Sequence, residues 1–371
     1  MVLPVQTARP IRARIDTGAF RENYLLAKRS APHSRALCVV KANAYGHGLA
    51  QCAQAVRDVA DGFGLLDLSD AAYLRGAQFT QPILLLEGCF DAEELHHAAS
   101  LQVSAVVHSL PQLQALEAAQ LSLPLDVFLK INTGMNRLGF GVDEVPAILA
   151  RLRVCKNVKS IVAMTHFATA DGAGIAEPWE RFVSATVNTG LPTSTSNSAA
   201  LLRFPQTHGD WVRPGIMLYG GSPMPELQSA ADIGLKPVMT LESTLIAVQT
   251  LRAGERVGYG GTFMADSLMR IGVVACGYAD GYPRHAGTGT PILVNGIRTR
   301  TLGRVSMDML ACDLTAIPDA HIGSHVTLWG DGLPADDVAI AAGTISYELF
   351  CALAPRVPVS WSSRIGGKQD G

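Results

Sequence analysis

Over the first 220 residues, short apolar runs alternate with stretches of helical period, and that alternation limits the possible folds more than any other property of this 371-residue chain. The runs are Ala36–Lys41, Gly62–Leu66, Pro82–Glu87, Ser104–His108, Leu125–Ile131, Ser160–His166, Thr193–Asn197 and Trp211–Ile216. Amphipathic, alanine-rich segments such as Ala50–Val59, Ala92–Ser100 and Leu110–Ala119 lie between them. Parallel strands with helical crossovers are buried on both faces and therefore appear as continuous apolar runs. Eight such runs predict an α/β fold, a (β/α)8 TIM-type barrel, with an open doubly wound sheet as the alternative.

The pattern changes after about residue 235. The runs Met239–Val248, Met269–Cys276, Pro291–Thr301, Met309–Leu314 and His325–Trp329 have no long helices between them. Asn295-Gly296, flanked by Val294 and Ile297, is a hairpin signal, because a tight two-residue turn demands positive φ. The expected organisation is therefore a barrel over residues 1–235 and a mainly β domain over 236–371, closing with helix-forming sequence at Ala335–Phe350.

Composition excludes some functions. Thirty Lys and Arg against 32 Asp and Glu leave no basic surplus for a phosphate backbone, so no nucleic-acid partner is expected. Charged residues are only 17% of the chain, which predicts that part of the surface is covered in an oligomer. Seven cysteines without a C-x-x-C pair indicate a reducing compartment. The amino terminus, Met1-Val2-Leu3-Pro4 followed by Gln6, Arg9 and Arg12, lacks a secretory apolar core, and no run of eighteen apolar residues occurs; a cytoplasmic protein without a membrane partner is expected.

In such a barrel the chemistry sits where strands end at their carboxyl side. The first strand delivers Lys41, followed by Ala42-Asn43-Ala44-Tyr45-Gly46-His47-Gly48. A lysine leaving an apolar strand either reaches water or stays desolvated, and desolvation lowers its pKa towards a nucleophilic amine suited to an imine. Other strand ends deliver Lys130 and Arg137, His166, Asn197-Ser198, and Arg213-Pro214-Gly215-Ile216. No G-x-G-x-x-G or Walker fingerprint is present, so a nucleotide loop is disfavoured. An anion could instead meet the backbone at Gly215-Ile216 with the hydroxyls of Ser198 and Tyr45, although Arg-Pro-Gly is also an ordinary turn.

These segments, taken together with Thr133-Gly134-Met135-Asn136-Arg137-Leu138-Gly139, Thr165-His166-Phe167-Ala168, Val257-Gly258-Tyr259-Gly260, Gly277-Tyr278-Ala279-Asp280-Gly281 and Gly303-Arg304-Val305-Ser306-Met307-Asp308, resemble the alanine racemases over nearly the whole chain. That resemblance implies a pyridoxal-phosphate enzyme, homodimeric and head-to-tail, that interconverts L- and D-alanine and supplies D-alanine for peptidoglycan or serves alanine catabolism. It implies a covalent imine between the cofactor and Lys41, with Lys41 and Tyr259 as the two proton-transfer groups and Tyr259 arriving from the partner subunit. Arg213 would face the pyridine nitrogen, with His166 between Arg213 and Tyr259. Tyr45, Ser198, Gly215, Ile216 and Tyr347 would hold the phosphate. Arg137 and the Met307 backbone would hold the substrate carboxylate, and Asp171, Tyr278 and Arg304 would form a narrow entrance. Lys130 resembles a position that is carbamylated in many members.

Those roles make chemical sense. Racemisation removes a proton from one face of Cα and returns one to the other, so two acid–base groups must flank the carbon. A tyrosine, with its ordinary pKa near 10, needs its phenolate stabilised. An arginine opposite the pyridine nitrogen, unlike a carboxylate, does not protonate the ring, and transamination is suppressed. The chain departs from the family at Asn136, where many members have glycine, and at Arg356-Val357-Pro358-Val359, which lacks a frequent final arginine.

Other motifs have plainer readings. His96-His97 is a solvated helix face. His321 and His325 have the i, i+4 spacing of a metal pair but no third ligand, so no metal is expected. Cys312 is packing. Competing functions are a racemase of serine, lysine or arginine, a barrel that only carries pyridoxal phosphate, and a cofactor-independent lysine aldolase.

Overall fold

The computed structural model describes residues 9–363, so the expectation drawn from Met1 to Gln6 lies outside the described residues. Eight parallel strands form a ring: Arg35–Val39, Gly62–Leu65, Ile83–Leu85, Ser104–Val107, Leu125–Asn132, Val158–Met164, Thr193–Ser194 and Trp211–Val212. The ring closes where Trp211 pairs with Arg35, and Ala105 to Val107 pair with Val127 to Leu129 on the opposite side. This is the (β/α)8 barrel, and closure rules out the open sheet. The last two strands are shorter than their apolar runs because the chain leaves the sheet early to bring Asn197, Ser198 and Arg213 to the mouth.

Alternation within the strands sorts the residues. Leu37, Leu84, Val106, Phe128, Val162 and Trp211 point inward and fill the barrel as one cluster, while Cys38, Phe63, Ile83, Leu85, Val127 and Leu129 point outward beneath the helices. Gly62 is required inside, since a Cβ there would stand 2.9 Å from Leu37 Cδ2 and 2.8 Å from the Pro82 carbonyl. By the same period of two, Lys41 continues the inward row of Leu37 and Val39, and Lys130 continues that of Phe128.

The second sheet is antiparallel apart from one parallel pair, Arg12–Asp16 with Val359–Ser362, and also closes, since Met239–Leu251 pairs with both His325–Trp329 and Met269–Val274. Pro291–Val294 and Ile297–Leu302 form the expected hairpin, with Asn295 at φ 51° and Gly296 at φ 78°. Two strands of this sheet had no sequence signal. Arg12–Asp16 pairs with Met239–Leu251 on one side and Val359–Ser362 on the other, so the chain starts in the second sheet before entering the barrel. The helical stretch Ala335–Phe350 is two helices, Ala335–Ala342 and Ser346–Cys351, broken at Gly343 with φ 71°. All seven cysteines are free thiols, and no helix among the described residues is long and apolar enough to cross a membrane.

Candidate active site

A cavity of about 770 Å³ opens at the carboxyl end of the barrel strands. It brings together Lys41, Tyr45, Lys130, Arg137, His166, Ser198, Arg213, Gly215, Ile216 and Tyr347. It also includes Glu87 and His108, which sequence reasoning passed over although they end the third and fourth apolar runs and so obey the same strand-end rule.

Lys41 is presented by an unusual backbone. Ala42, Asn43, Ala44 and Tyr45 all have φ near +50°, a left-handed turn that costs L-residues about 1–2 kcal/mol each. Asn43 tolerates this conformation and its carboxamide accepts from Leu49 N at 2.9 Å, starting the next helix. Gly46 ends the turn against the carbonyl of Phe350, which a Cβ would approach to 2.3 Å. Burial, and then the charge of Arg137, push the Lys41 pKa below its ordinary value.

At the other end of the cavity is a small cradle. Ser198 Oγ accepts from Gly215 N at 2.8 Å, and a Cβ on Gly215 would lie 3.0 Å from Tyr45 Oη. The Tyr45 ring packs on Tyr219 at 4.5 Å and on Tyr347 at 5.9 Å, and Tyr219 donates to the Val39 carbonyl at 2.8 Å, tying the cradle to the strand that carries Lys41. Burial raises the pKa of both Tyr45 and Tyr347, so their hydroxyls remain donors.

Arg213 is 4% exposed and fully engaged. It donates to Ser194 Oγ and the Thr165 carbonyl, each at 2.7 Å, and to the Thr195 carbonyl at 3.2 Å. Its Nη2 lies 3.4 Å from His166 Nδ1. Burial, followed by the charges of Arg213, Lys130, Arg137 and Lys41, holds the His166 pKa well below its usual range, so the ring is neutral. A guanidinium only donates, so His166 Nδ1 accepts and Nε2 carries the hydrogen. Asn197 uses its carbonyl oxygen to cap Ala200 N and donates its amide nitrogen to the Phe167 carbonyl at 3.2 Å, so it makes no hydrogen bond with the Nε2–H that faces it at 3.4 Å.

Lys130 is 8% exposed and forms no ion pair among the described residues. Burial, then Arg213, Arg137 and Lys41, push its pKa well below the usual lysine value. The cavity wall thus has four basic side chains against one carboxylate, Glu87, among its described residues, and it favours an anionic occupant.

The other expected site residues do not line this cavity. Tyr259 is 74% exposed on the turn Tyr259–Gly261. Arg304 packs beside that turn, since a Cβ on Gly260 would meet its Nη1 at 3.4 Å. Tyr278 N donates to the Ser306 carbonyl and Ala279 N to the Met307 carbonyl, joining those two loops. The Met307 carbonyl is therefore occupied, and its side chain is 53% exposed. Buried Asp280 fastens this surface: it accepts from Gly277 N at 2.9 Å and pairs with Arg9 and Arg356, both of which also reach Asp308. Asp171 is exposed, and its charge acts on Tyr347.

Asn136 has φ 54°, and Asn132 Oδ1 accepts from both Gly134 N and Asn136 N, so asparagine, which tolerates the left-handed region, suits this position. His321 turns its ring to the Asp319 carbonyl and His325 to Glu242, so the i, i+4 pair does not converge. His96 and His97 are exposed on the helix Ala92–Ser100, and Cys312 is buried.

The model of the alanine racemase N-terminal domain matches residues 15–223, and that of the C-terminal domain matches residues 238–361. The chain belongs to the alanine racemase family. It is 54% identical to the alanine racemase of Nitrosospira multiformis over 94% of this chain and 99% of that one. It is 53% identical to the catabolic alanine racemase of Salmonella typhimurium, covering 94% and 98%. Among solved structures, the biosynthetic alanine racemase of Pseudomonas aeruginosa superposes with a TM-score of 0.93 at 47% identity, covering 95% of this chain and 99% of that one. In this member of the family the cavity at the barrel mouth is lined almost entirely by the first matched domain, and the exposed Tyr259 lies in the second.

Proposed function

We propose that this protein interconverts L- and D-alanine with pyridoxal phosphate attached at Lys41. The observation that carries the reading is the cavity itself, which has a desolvated amine at one end and a hydroxyl and backbone anion cradle at the other. The residues fit the cofactor: Tyr45, Ser198, Gly215, Ile216 and Tyr347 would hold its phosphate, and Arg213 would face its ring nitrogen. When bound, pyridoxal phosphate delocalises the electron pair left on Cα as the α-proton departs.

Lys41 Nζ moves the proton on one face of Cα. Tyr259 moves it on the other and would come from a second copy of the chain, because in its own chain it is exposed and does not line the cavity. This is the basis for a head-to-tail homodimer in which residues 1–235, together with Tyr347, bind the cofactor and Tyr259, from residues 236–371, completes the neighbour's site. His166 Nε2–H donates towards the arriving phenolate, while Arg213 fixes the tautomer from the other side of the ring. Arg137, with the Met307 backbone N–H of the second copy, holds the substrate carboxylate. Asp171, with Tyr278 and Arg304 of the second copy, narrows the entrance. A carbamate on Lys130 would replace a buried amine with an anion facing the charge of Arg137; the depressed pKa supplies the neutral amine that attacks carbon dioxide and gives up one proton to solvent.

Relatives are named both biosynthetic and catabolic, which supports reading the protein as a cytoplasmic enzyme that supplies D-alanine for peptidoglycan or serves alanine catabolism. Borohydride reduction followed by peptide mapping tests the reading. The expected result is a yellow protein whose reduced adduct maps to Lys41, with Tyr259→Phe strongly impaired in both directions. A colourless protein, or full activity in Tyr259→Phe, rejects it.

A further inference from the structure

The left-handed turn Ala42–Tyr45 connects the amine that would hold the cofactor to the hydroxyl that would hold its phosphate, and its conformation is costly. A side chain with no role in the chemistry lies directly beneath it. His47 is fully buried, and its Nδ1 lies 2.9 Å from the Tyr45 carbonyl and 3.1 Å from the Ala44 carbonyl. Two carbonyls can only accept, so Nδ1 carries the hydrogen and is shared between them. Nε2 is buried with no partner among the described residues. The ring is wedged between Tyr219 at 4.7 Å and Phe350 at 5.0 Å, and Trp361 donates to the His47 carbonyl at 2.8 Å.

We infer that His47 is a positioning residue whose Nδ1–H, shared by the carbonyls of Ala44 and Tyr45, holds the left-handed turn that spaces Lys41 from the phosphate cradle. In a right-handed turn those carbonyls would leave the imidazole, and Tyr45 Oη would leave Gly215. Burial depresses the His47 pKa to about 4, so the donor tautomer persists through neutral pH. The empty Nε2 is consistent with this, because a ring selected for packing alone would present carbon there. The inference rests on the cofactor reading above.

Two measurements test it. In the apo-enzyme, titration with pyridoxal phosphate followed by absorbance gives cofactor affinity apart from turnover. His47→Phe preserves the ring between Tyr219 and Phe350 but removes the donor, and affinity should fall by about tenfold, comparable to the strain of a single left-handed residue. His47→Asn, whose amide nitrogen mimics Nδ1, should recover most of the loss. The second measurement uses the unmodified protein and does not depend on the variants folding. Nitrogen-15 shifts of His47 should show a protonated Nδ1 and a bare Nε2 from pH 6 to 9. Unchanged cofactor affinity in His47→Phe, or a His47 ring protonated at Nε2, overturns the inference. A protein that never binds pyridoxal phosphate fails the functional reading instead, and the nitrogen shifts distinguish the two failures.

Discussion

Arg213 Nη2 lies 3.4 Å from His166 Nδ1, with Arg213 buried and His166 half-buried. Two potentially cationic groups at that distance are compatible only if one is neutral, and the guanidinium keeps its proton, so the imidazole is the neutral member.

Replacing Arg213 with methionine therefore has two consequences. The carbonyls of Thr165 and Thr195 lose a buried donor, at about 1–3 kcal/mol each, so thermal unfolding should occur at lower temperature. His166 should also titrate at higher pH, because a positive charge that depressed it is gone. Racemisation should fall by about 100-fold or more. An unchanged pH–rate profile in the variant counts against the pairing.

Gly215 is suited to its position by what a side chain would strike. In Gly215→Ala the new Cβ stands 3.0 Å from Tyr45 Oη, in the space where an anion would approach the backbone. The expected outcome is cofactor affinity about tenfold weaker, corresponding to the loss of one good hydrogen bond to a charged group, with the melting temperature little changed. Equal affinity by reconstitution titration would move the phosphate elsewhere.

Lys130 provides a chemical test. Protein equilibrated with carbon-13 bicarbonate should show a carbamate carbonyl resonance that Lys130→Met lacks. If no such resonance appears, the buried amine is unmodified and neutral and gives Arg137 no anionic partner, and Lys130→Met should then leave binding of the substrate carboxylate nearly unchanged.

Asp280 links the entrance surface to acid stability. Hydrogen bonds from Arg9, Arg356 and Gly277 N depress its carboxyl pKa despite the opposing effect of burial. A depressed folded-state pKa means that the unfolded chain takes up the proton first, so this stabilisation is complete above about pH 4 and is lost as the pH falls further. Arg356→Gln should shift the acid-unfolding midpoint upward and raise KM more than it lowers kcat, because the loops of Tyr278 and Met307 are joined there. No shift in the acid midpoint would remove Asp280 from this role.

Much of this arrangement was legible before any coordinates. Inward and outward rows follow from a period of two, so Lys41 and Lys130 could be expected at the mouth from Leu37 and Phe128 alone. Glu87 and His108 ended apolar runs in the same way and were passed over because no catalytic role suggested them. Asn295-Gly296 specified its turn locally, since the required φ angles belong to those two residues.

The strands, their order of appearance and the identities of the reactive groups depend on local period and side-chain chemistry, and both are written in the chain. Long-range contacts decided the rest. Arg12–Asp16 is a strand because Met239–Leu251 and Val359–Ser362 flank it, and nothing in its own five residues requires that. Ala42 to Tyr45 adopt a left-handed turn that local preference opposes, held by His47, by Trp361 some 314 residues further along from it, and by Phe350 against Gly46. Tyr259 is exposed and stays outside the cavity that Lys41 lines, and under the proposed function that leaves each chain with half of a two-base site. A one-dimensional pattern carries no information about pairing across hundreds of residues, because only burial and hydrogen bonding in the folded state compensate for locally unfavourable backbone.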